Sequence, residues 1–254
     1  MVSIFLRSLV FNVLFYLVLV VLAIVALPTF LMPAWTILAV AHWWANATLF
    51  LMRAICNIKV EFRGLEKIPK GPLVVASKHQ SMWETISLLR FFEAPFFAVK
   101  RELKFVPIFG LFLIKTSMIA IDRSAGGRAL IKMARRAAGE VRRGRQFVIF
   151  PEGTRTAPGA PPQYKSGVAL IYADCGVPCL PVALNSGLFW PRRSLRRNPG
   201  TIRVEVLDPI PPGLDKDSFF ERLQREIEAA ATRLLNEGKS EQAALGLQIP
   251  DVRQ

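Results

Sequence analysis

Residues 8–26 contain no charged side chain, and neither do residues 34–52. The first stretch reads as a helix that is apolar on every side, and at ~1.5 Å per residue its 19 residues nearly match the ~30 Å hydrocarbon layer of a bilayer. Few small residues flank any plausible cleavage point, so it is read as a retained segment rather than a signal peptide. Pro28 and Pro33 separate it from the second stretch, which is softened by His42, Asn46 and Thr48 and carries the adjacent pair Trp43-Trp44. Arg7 stands before the first stretch, and Arg53, Lys59 and Arg63 follow the second. Basic residues on both flanks suit a helical hairpin or re-entrant pair whose two ends lie on the cytoplasmic side. A cell-membrane protein is therefore expected, with the remaining chain on the cytoplasmic face.

The formal charge of +14 calls for a polyanionic partner, and a lipid surface, phosphorylated substrates or nucleic acid all satisfy it. The three cysteines, Cys56, Cys175 and Cys179, are odd in number and form no Cys-x-x-Cys pair. A disulfide framework or a zinc site is not expected, and no metal ligands are assigned.

From about Ile58 the pattern changes to short β-branched runs alternating with amphipathic helices. Strands are expected at residues 73–76, 96–99, 117–121, 147–150, 179–184 and 202–206. Between the third and fourth, Leu130, Met133, Ala134, Ala137 and Val141 fall on one helical face, while Arg128, Lys132, Arg135, Arg136 and Arg142 take the others. A second stripe, Phe219, Leu223, Ile227, Ala230 and Leu234, marks a helix near the C-terminus, and the segment after Asn236 reads as a loosely ordered tail. The expected fold class is α/β, a mostly parallel or mixed sheet covered by helices and preceded by a membrane-associated helical pair. Residues 1–57 would form the anchor, 58–240 the α/β domain and 241–254 the tail.

The run His79-Gln80-Ser81-Met82-Trp83-Glu84 follows the apolar strand and joins a titratable base to a carboxylate. Histidine suits proton movement near neutrality, with an ordinary pKa of ~6.5. Ser81-Met82-Trp83-Glu84 also has the form of a capping box, in which Glu84 merely bonds back to the backbone at Ser81. Alternatively, a carboxylate in the first helical turn reaches the imidazole, fixes its tautomer and stabilises the imidazolium formed on proton uptake. Both readings stand on sequence alone.

The strand at 147–150 runs into Pro151-Glu152-Gly153-Thr154-Arg155, which brings a tight turn, a hydroxyl and a guanidinium together. Gly153 permits close approach, exposed N–H groups can form an anion nest, and Arg155 can bond two oxygens at once. Glu152 would repel an anion, so its expected role is to hold Arg155 or a neighbouring Arg, or to accept a substrate hydroxyl. Ile121-Asp122-Arg123 places another guanidinium just beyond a strand end, where ligands collect in open α/β sheets. An ordinary polar turn and a surface ion pair are the plainer readings of these two segments.

Taken in order, His79-x-x-x-x-Glu84, Ile121-Asp122-Arg123, Phe150-Pro151-Glu152-Gly153-Thr154-Arg155 and Val177-Pro178-Cys179-Leu180-Pro181 resemble the four sequence blocks of the glycerolipid acyltransferases. The closest likeness is to bacterial 1-acyl-sn-glycerol-3-phosphate acyltransferases. That family's first block ordinarily ends in Asp, whereas here it ends in Glu84. The resemblance implies that His79 is a general base on the 2-hydroxyl of lysophosphatidic acid, which attacks the thioester of acyl-CoA or acyl-carrier protein without an acyl-enzyme. It implies that Arg123, Gly153, Thr154 and Arg155 hold the acceptor phosphate with Glu152 in support, and that Lys100 or Lys104 contacts the oxyanion or substrate. No cofactor is implied.

Another lysolipid, such as a lyso-amino-lipid, or glycerol 3-phosphate could serve as acceptor in the same site. A non-enzymatic basic protein binding membrane or nucleic acid is the rival of another class. Its basic residues lack the regular aromatic interleaving of single-strand binders, so no nucleic-acid partner is expected.

Overall fold

The computed structural model describes residues 2–121 and 126–247. The hairpin comprises α1 (Val2–Val25) and α2 (Ala34–Cys56), joined by a short 3-10 turn at Leu27–Leu31. Asn57 ends α2 in the left-handed region, φ 52°, with its N–H on the Met52 carbonyl, and the chain then enters the sheet. Among the described residues, Ser3–Val25 is the one helix long and apolar enough to cross a membrane, and most of its side chains face outward.

Seven strands follow: β1 (Ile58–Arg63), β2 (Leu73–Ser77), β3 (Pro95–Lys100), β4 (Ile119–Ile121), β5 (Gln146–Ile149), β6 (Cys179–Leu184) and β7 (Gly200–Val206). Their order is β1-β7-β6-β2-β5-β3-β4, parallel throughout except for the antiparallel β6–β7 pair. The interleaved helices are α3 (Trp83–Ser87), α4 (Phe109–Lys115), α5 (Gly126–Val141), α6 (Gly167–Cys175) and α7 (Lys216–Ala244). A mixed α/β sheet covered by helices is thus the architecture. β2, β5 and β6 are buried at every position, as expected of central parallel strands.

Topology decides where a site can form. From β2 to β3 and on to β4 the chain moves one way across the sheet, and from β4 through β5 to β6 it moves back. Right-handed crossovers then put α3 and α4 on one face and α5 and α6 on the other. Packing agrees, since α2 lies against α3 while α5, α6 and α7 pack in series. β2 and β5 are neighbours whose following connections leave to opposite faces, and that divergence opens a crevice at their carboxyl ends.

Both ends of the hairpin are fastened to the sheet domain. Near the start of α1, Arg197 donates to Asn12 Oδ1 at 2.8 Å and Ser8 Oγ accepts from Arg197 N at 2.8 Å. The Arg197 guanidinium lies 4.2 Å from the Trp190 ring, which meets Phe11 and Phe15 edge-on. Burial lowers the Arg197 pKa to about 10. At the far end, Lys115 Nζ donates to the carbonyls of Thr29, Phe30 and Met32, and Phe112 stacks on Phe30 at 4.7 Å. Phe11, Phe15, Ala45 and Met52 join the same apolar core as the sheet.

The structure corrects one expectation of order and supplies a strand not foreseen. α7 does not loosen after Asn236 but continues to Ala244. Glu237 pairs with Arg63 at 2.8 Å, Glu241 pairs with Arg203 at 2.8 Å, and Gln242 is buried. Gly238 is needed there, because a Cβ would meet Leu188 Cδ1 at 2.6 Å and Asn185 Nδ2 at 2.9 Å. Residues 248–254 of the expected tail lie outside the described residues. The unforeseen strand is β1, which pairs with β7 along its full length.

Candidate active site

His79 sits two residues past the end of β2, and Phe150 directly follows β5. Because Ala76 is in register with Ile149, the two residues emerge side by side, and their rings stack at 3.9 Å with an interplanar angle of 15°. The imidazole side chain retains 14% of its exposure, so part of the ring stays accessible at the carboxyl edge of the sheet.

Glu84 reconciles the two readings of its segment. Its Oε1 accepts from Gln80 N at 2.6 Å and Ser81 N at 2.7 Å, as a helix-capping carboxylate would, and lies 3.0 Å from His79 Nδ1. Its Oε2 accepts from Ser186 Oγ at 2.8 Å. The carboxylate is fully buried, and four donors satisfy it. A carboxylate on Nδ1 makes that nitrogen the N–H donor, which leaves the Nε2 lone pair to accept a proton. The added methylene of Glu relative to Asp is absorbed by this set of partners.

Glu152 does not do what the sequence led us to expect. It is 1% exposed and turned away from Arg155 into a buried network. Its Oε1 accepts from Lys78 Nζ at 2.8 Å and Thr156 Oγ1 at 2.6 Å, while Oε2 accepts from the His79 backbone N–H at 3.1 Å. Thr156 N donates in turn to the His79 carbonyl at 2.8 Å. The turn after β5 therefore grips the His79 residue by both its N–H and its carbonyl. A buried carboxylate needs a cation or several donors, and Lys78, itself 3% exposed, is the cation within reach.

Lys78 carries the connection to α7. Its Nζ lies 2.6 Å from Glu228 Oε1, which also accepts from Tyr164 OH at 2.9 Å. Burial, with the Glu228 charge beside it, drives the Tyr164 phenol well above its usual pKa and keeps it a donor. A cavity of about 300 Å³ lies behind this network, lined by Lys78, Gln80 and Glu228 together with Pro161 and Thr232.

Gly153 turns the chain with φ +67°, in the left-handed region, and its N–H donates to the Phe150 carbonyl at 2.9 Å. Its N–H is consequently spent inside the turn. Thr154 and Arg155 are exposed at the tip, and among the described residues their backbone N–H groups have no protein partner. Arg192 donates to the Arg155 carbonyl, bringing a second guanidinium to this corner. Asp122 and Arg123 lie outside the described residues, although Ile121 ends β4 at the same edge of the sheet.

Lys100 ends β3 in register with Ile121, and counting on from the pair Phe97–Val148 puts it level with Pro151. It is exposed at the carboxyl edge, one strand beyond β5, and Lys104 lies in the 3-10 turn Arg101–Phe105 that follows. The site residues that the sequence reading missed are Lys78, Phe150 as a ring partner, Ser186 and Thr156. Cys175 and Cys179 are buried, and burial raises the Cys175 thiol to about 12, which suits plain packed thiols.

Comparison with known proteins shows the family. The family model described as "Acyltransferase" matches residues 59–185, the span that holds His79, Glu84, the turn after β5 and the strand that precedes Ser186. A 1-acyl-sn-glycerol-3-phosphate acyltransferase of Pseudomonas aeruginosa is 41% identical over 163 residues, covering 64% of this chain and 63% of that protein. A lyso-ornithine lipid O-acyltransferase of the same organism is 27% identical over 207 residues, covering 74% and 77%. The human 1-acyl-sn-glycerol-3-phosphate acyltransferase alpha is 30% identical over 173 residues, and this chain spans 61% of it. This chain thus spans less than two thirds of the Pseudomonas and human acyltransferases named for lysophosphatidate. The crystal structure of the 1-acyl-sn-glycerophosphate acyltransferase PlsC from Thermotoga maritima superposes with a TM-score of 0.72 at 25% identity, covering 92% of this chain and 97% of that one. With the family's matched region spanning half the chain and the fold shared over nearly all of it, this chain belongs to the acyltransferase family.

Proposed function

We propose that the chain transfers a fatty acyl group from a thioester donor, acyl-CoA or acyl-carrier protein, to the 2-hydroxyl of 1-acyl-sn-glycerol 3-phosphate. The observation that carries this reading is the oriented imidazole, with Nδ1 on buried Glu84 and Nε2 left open at the crevice beside the turn that ends in Arg155. Nε2 takes the hydroxyl proton as the oxygen attacks the thioester carbonyl. The tetrahedral adduct collapses, the C–S bond breaks, and the imidazolium returns the proton to the departing sulfur. Positioned base catalysis contributes ~10²–10⁴-fold, and donors aimed at the oxyanion add ~10²–10³-fold.

The acceptor phosphate would sit at the turn tip, on the Arg155 fork and the free N–H groups of Thr154 and Arg155 beside Gly153, with Arg123 a further candidate on sequence grounds. Lys100, at the same edge, or Lys104 in the turn that follows would contact the oxyanion or the substrate. Glu152 supports from behind by holding the residue that bears the base. No cofactor is required, since proton transfer and oxyanion stabilisation suffice.

The outward apolar side of α1 would lie in the bilayer. The hairpin's turn is tied to Lys115 and its open end to Arg197, so both ends stay with the catalytic domain, which would lie on the cytoplasmic face. The likeness to a lyso-ornithine lipid acyltransferase favours one second reading, in which the acceptor is an amino-lipid bearing the same free hydroxyl. Purified protein assayed with one acyl thioester against lysophosphatidic acid, lyso-ornithine lipid and glycerol 3-phosphate decides. Preference for lysophosphatidic acid supports the proposal, and preference for either other acceptor refutes it.

A further inference from the structure

We infer that the outer face of α5 is the docking surface for an acidic carrier protein that delivers the acyl thioester; this deepens the proposed function and rests on it. Arg128, Lys132, Arg135 and Arg142 recur at intervals of four, three and seven residues, which aligns them along one side of the helix, directly opposite Met133, Ala134, Ala137 and Val141 in the core. All four cations are exposed, and among the described residues none has a carboxylate within ion-pairing distance. Glu140, the one acidic residue of α5, is turned inward onto Arg143 and Arg145. Ile131 stands among the cations and is 48% exposed. Like charges at these spacings destabilise an isolated helix, and nothing on the same face offsets that repulsion.

Shape and position choose the occupant. From Arg128 to Arg142 the row runs roughly 21 Å along a convex helix, too long and too flat for a small molecule, which needs a concave site. α5 packs on α6, β4 and β5, whereas the hairpin packs on α3 through α2, so the cationic row lies on the face of the sheet opposite the hairpin. A soluble acidic macromolecule fits that placement better than a leaflet does. α5 begins five residues beyond the carboxyl end of β4, and from β4 to β2 there are three inter-strand steps, roughly 14 Å in all. A carrier seated on α5 could pass a thioester on a flexible prosthetic arm over that edge to His79. A cationic row with a single apolar contact is the complement of an acidic helix, and opposite charge of this kind steers encounter.

The test compares two donors carrying the same acyl group, acyl-carrier protein and acyl-CoA, using the full chain in detergent or lipid. In Arg128→Glu/Lys132→Glu/Arg135→Glu, the KM for acyl-carrier protein should rise at least tenfold or so while kcat/KM with acyl-CoA stays within about twofold. The neutral set Arg128→Gln/Lys132→Gln/Arg135→Gln should give an intermediate rise. Binding read without turnover keeps the two proposals apart: fluorescent acyl-carrier protein should bind the His79→Ala chain and weaken steeply with salt, and the charge-reversed row should abolish that binding. Should no donor support transfer while the binding result holds, the proposed function fails and the docking surface stands. Equal loss with both donors, or unchanged carrier kinetics and binding, overturns the inference. A defect confined to partition onto phosphatidylglycerol vesicles, or to retention of RNA, overturns it in favour of those ligands.

Discussion

Lys78→Met should destabilise the protein more than any other single change at the site. The ammonium is 3% exposed and lies 2.8 Å from Glu152 and 2.6 Å from Glu228. Removing one partner of a buried ion pair typically costs ~3–5 kcal/mol, because the remaining charge is left in a poor solvent. Glu152 keeps two donors, Thr156 Oγ1 and the His79 N–H, and Glu228 is 24% exposed and can turn to water. Those features favour the lower end, about 3 kcal/mol, equivalent to a fall of roughly 6–12 °C in the thermal midpoint for a domain of this size. Lys78→Met/Glu152→Gln removes both charges; the Gln carbonyl can keep the His79 N–H while its NH2 donates to Thr156 Oγ1, whose own O–H turns to the His79 carbonyl, so the double variant should recover about 2 kcal/mol of the loss. Intrinsic tryptophan fluorescence during heating in one detergent reads all the variants alongside wild type. A single variant that melts within about 2 °C of wild type, or a double variant no more stable than the single, refutes the claim that Lys78 neutralises Glu152.

Three further outcomes follow from the same geometry. Ser186→Ala leaves one oxygen of a buried carboxylate unpaired, worth ~1.5–3 kcal/mol for a bond to a charged group, and should lower kcat about tenfold with the acceptor KM unchanged; a shift in KM alone would argue against Ser186 acting through Glu84. Arg155→Lys keeps the charge but loses the planar fork, so the lysolipid KM should rise about tenfold while kcat changes less, and an unaltered KM removes Arg155 from phosphate binding. Hydrogen bonds from Arg63 hold the Glu61 and Glu237 carboxyls below their usual range. Folded values below unfolded ones give stability that is present above about pH 4.3 and is lost as pH falls through the folded values. The thermal midpoint should therefore drop on acidification below that point, and Arg63→Gln should flatten the drop; an equally steep drop in the variant would place the acid sensitivity elsewhere.

The parts of the site that could be read from sequence are those set by local spacing. A strand ending at Ser77 leaves His79 and Glu84 five residues apart around one helix start, and a strand ending at Ile149 leaves Arg155 on the next turn. Ser186 was missed because its partner Glu84 is 102 residues away, although its place just past β6, at the same carboxyl edge, was a usable signal. Lys78 offered another signal, as a charge directly after the fully buried strand β2. Glu152 misled because a carboxylate next to Gly-Thr-Arg looks like a partner for that Arg, whereas tertiary packing turned it towards Lys78. The end of α7 was illegible because its contacts are made by Glu237, Gly238, Glu241 and Gln242, none of which prolongs an apolar stripe. β1 escaped although Ile58-Lys59-Val60-Glu61-Phe62-Arg63 alternates strictly, since its edge position leaves it half covered and its run of apolar residues short.

The direct test of the central claim is turnover of His79→Ala with lysophosphatidic acid and a saturating acyl thioester, measured beside acceptor binding and thermal midpoint. Loss of the base should cost at least ~10²-fold in kcat with binding and midpoint preserved. Turnover within about tenfold of wild type would contradict it, because a side chain that takes the hydroxyl proton in the transition state cannot be removed so cheaply.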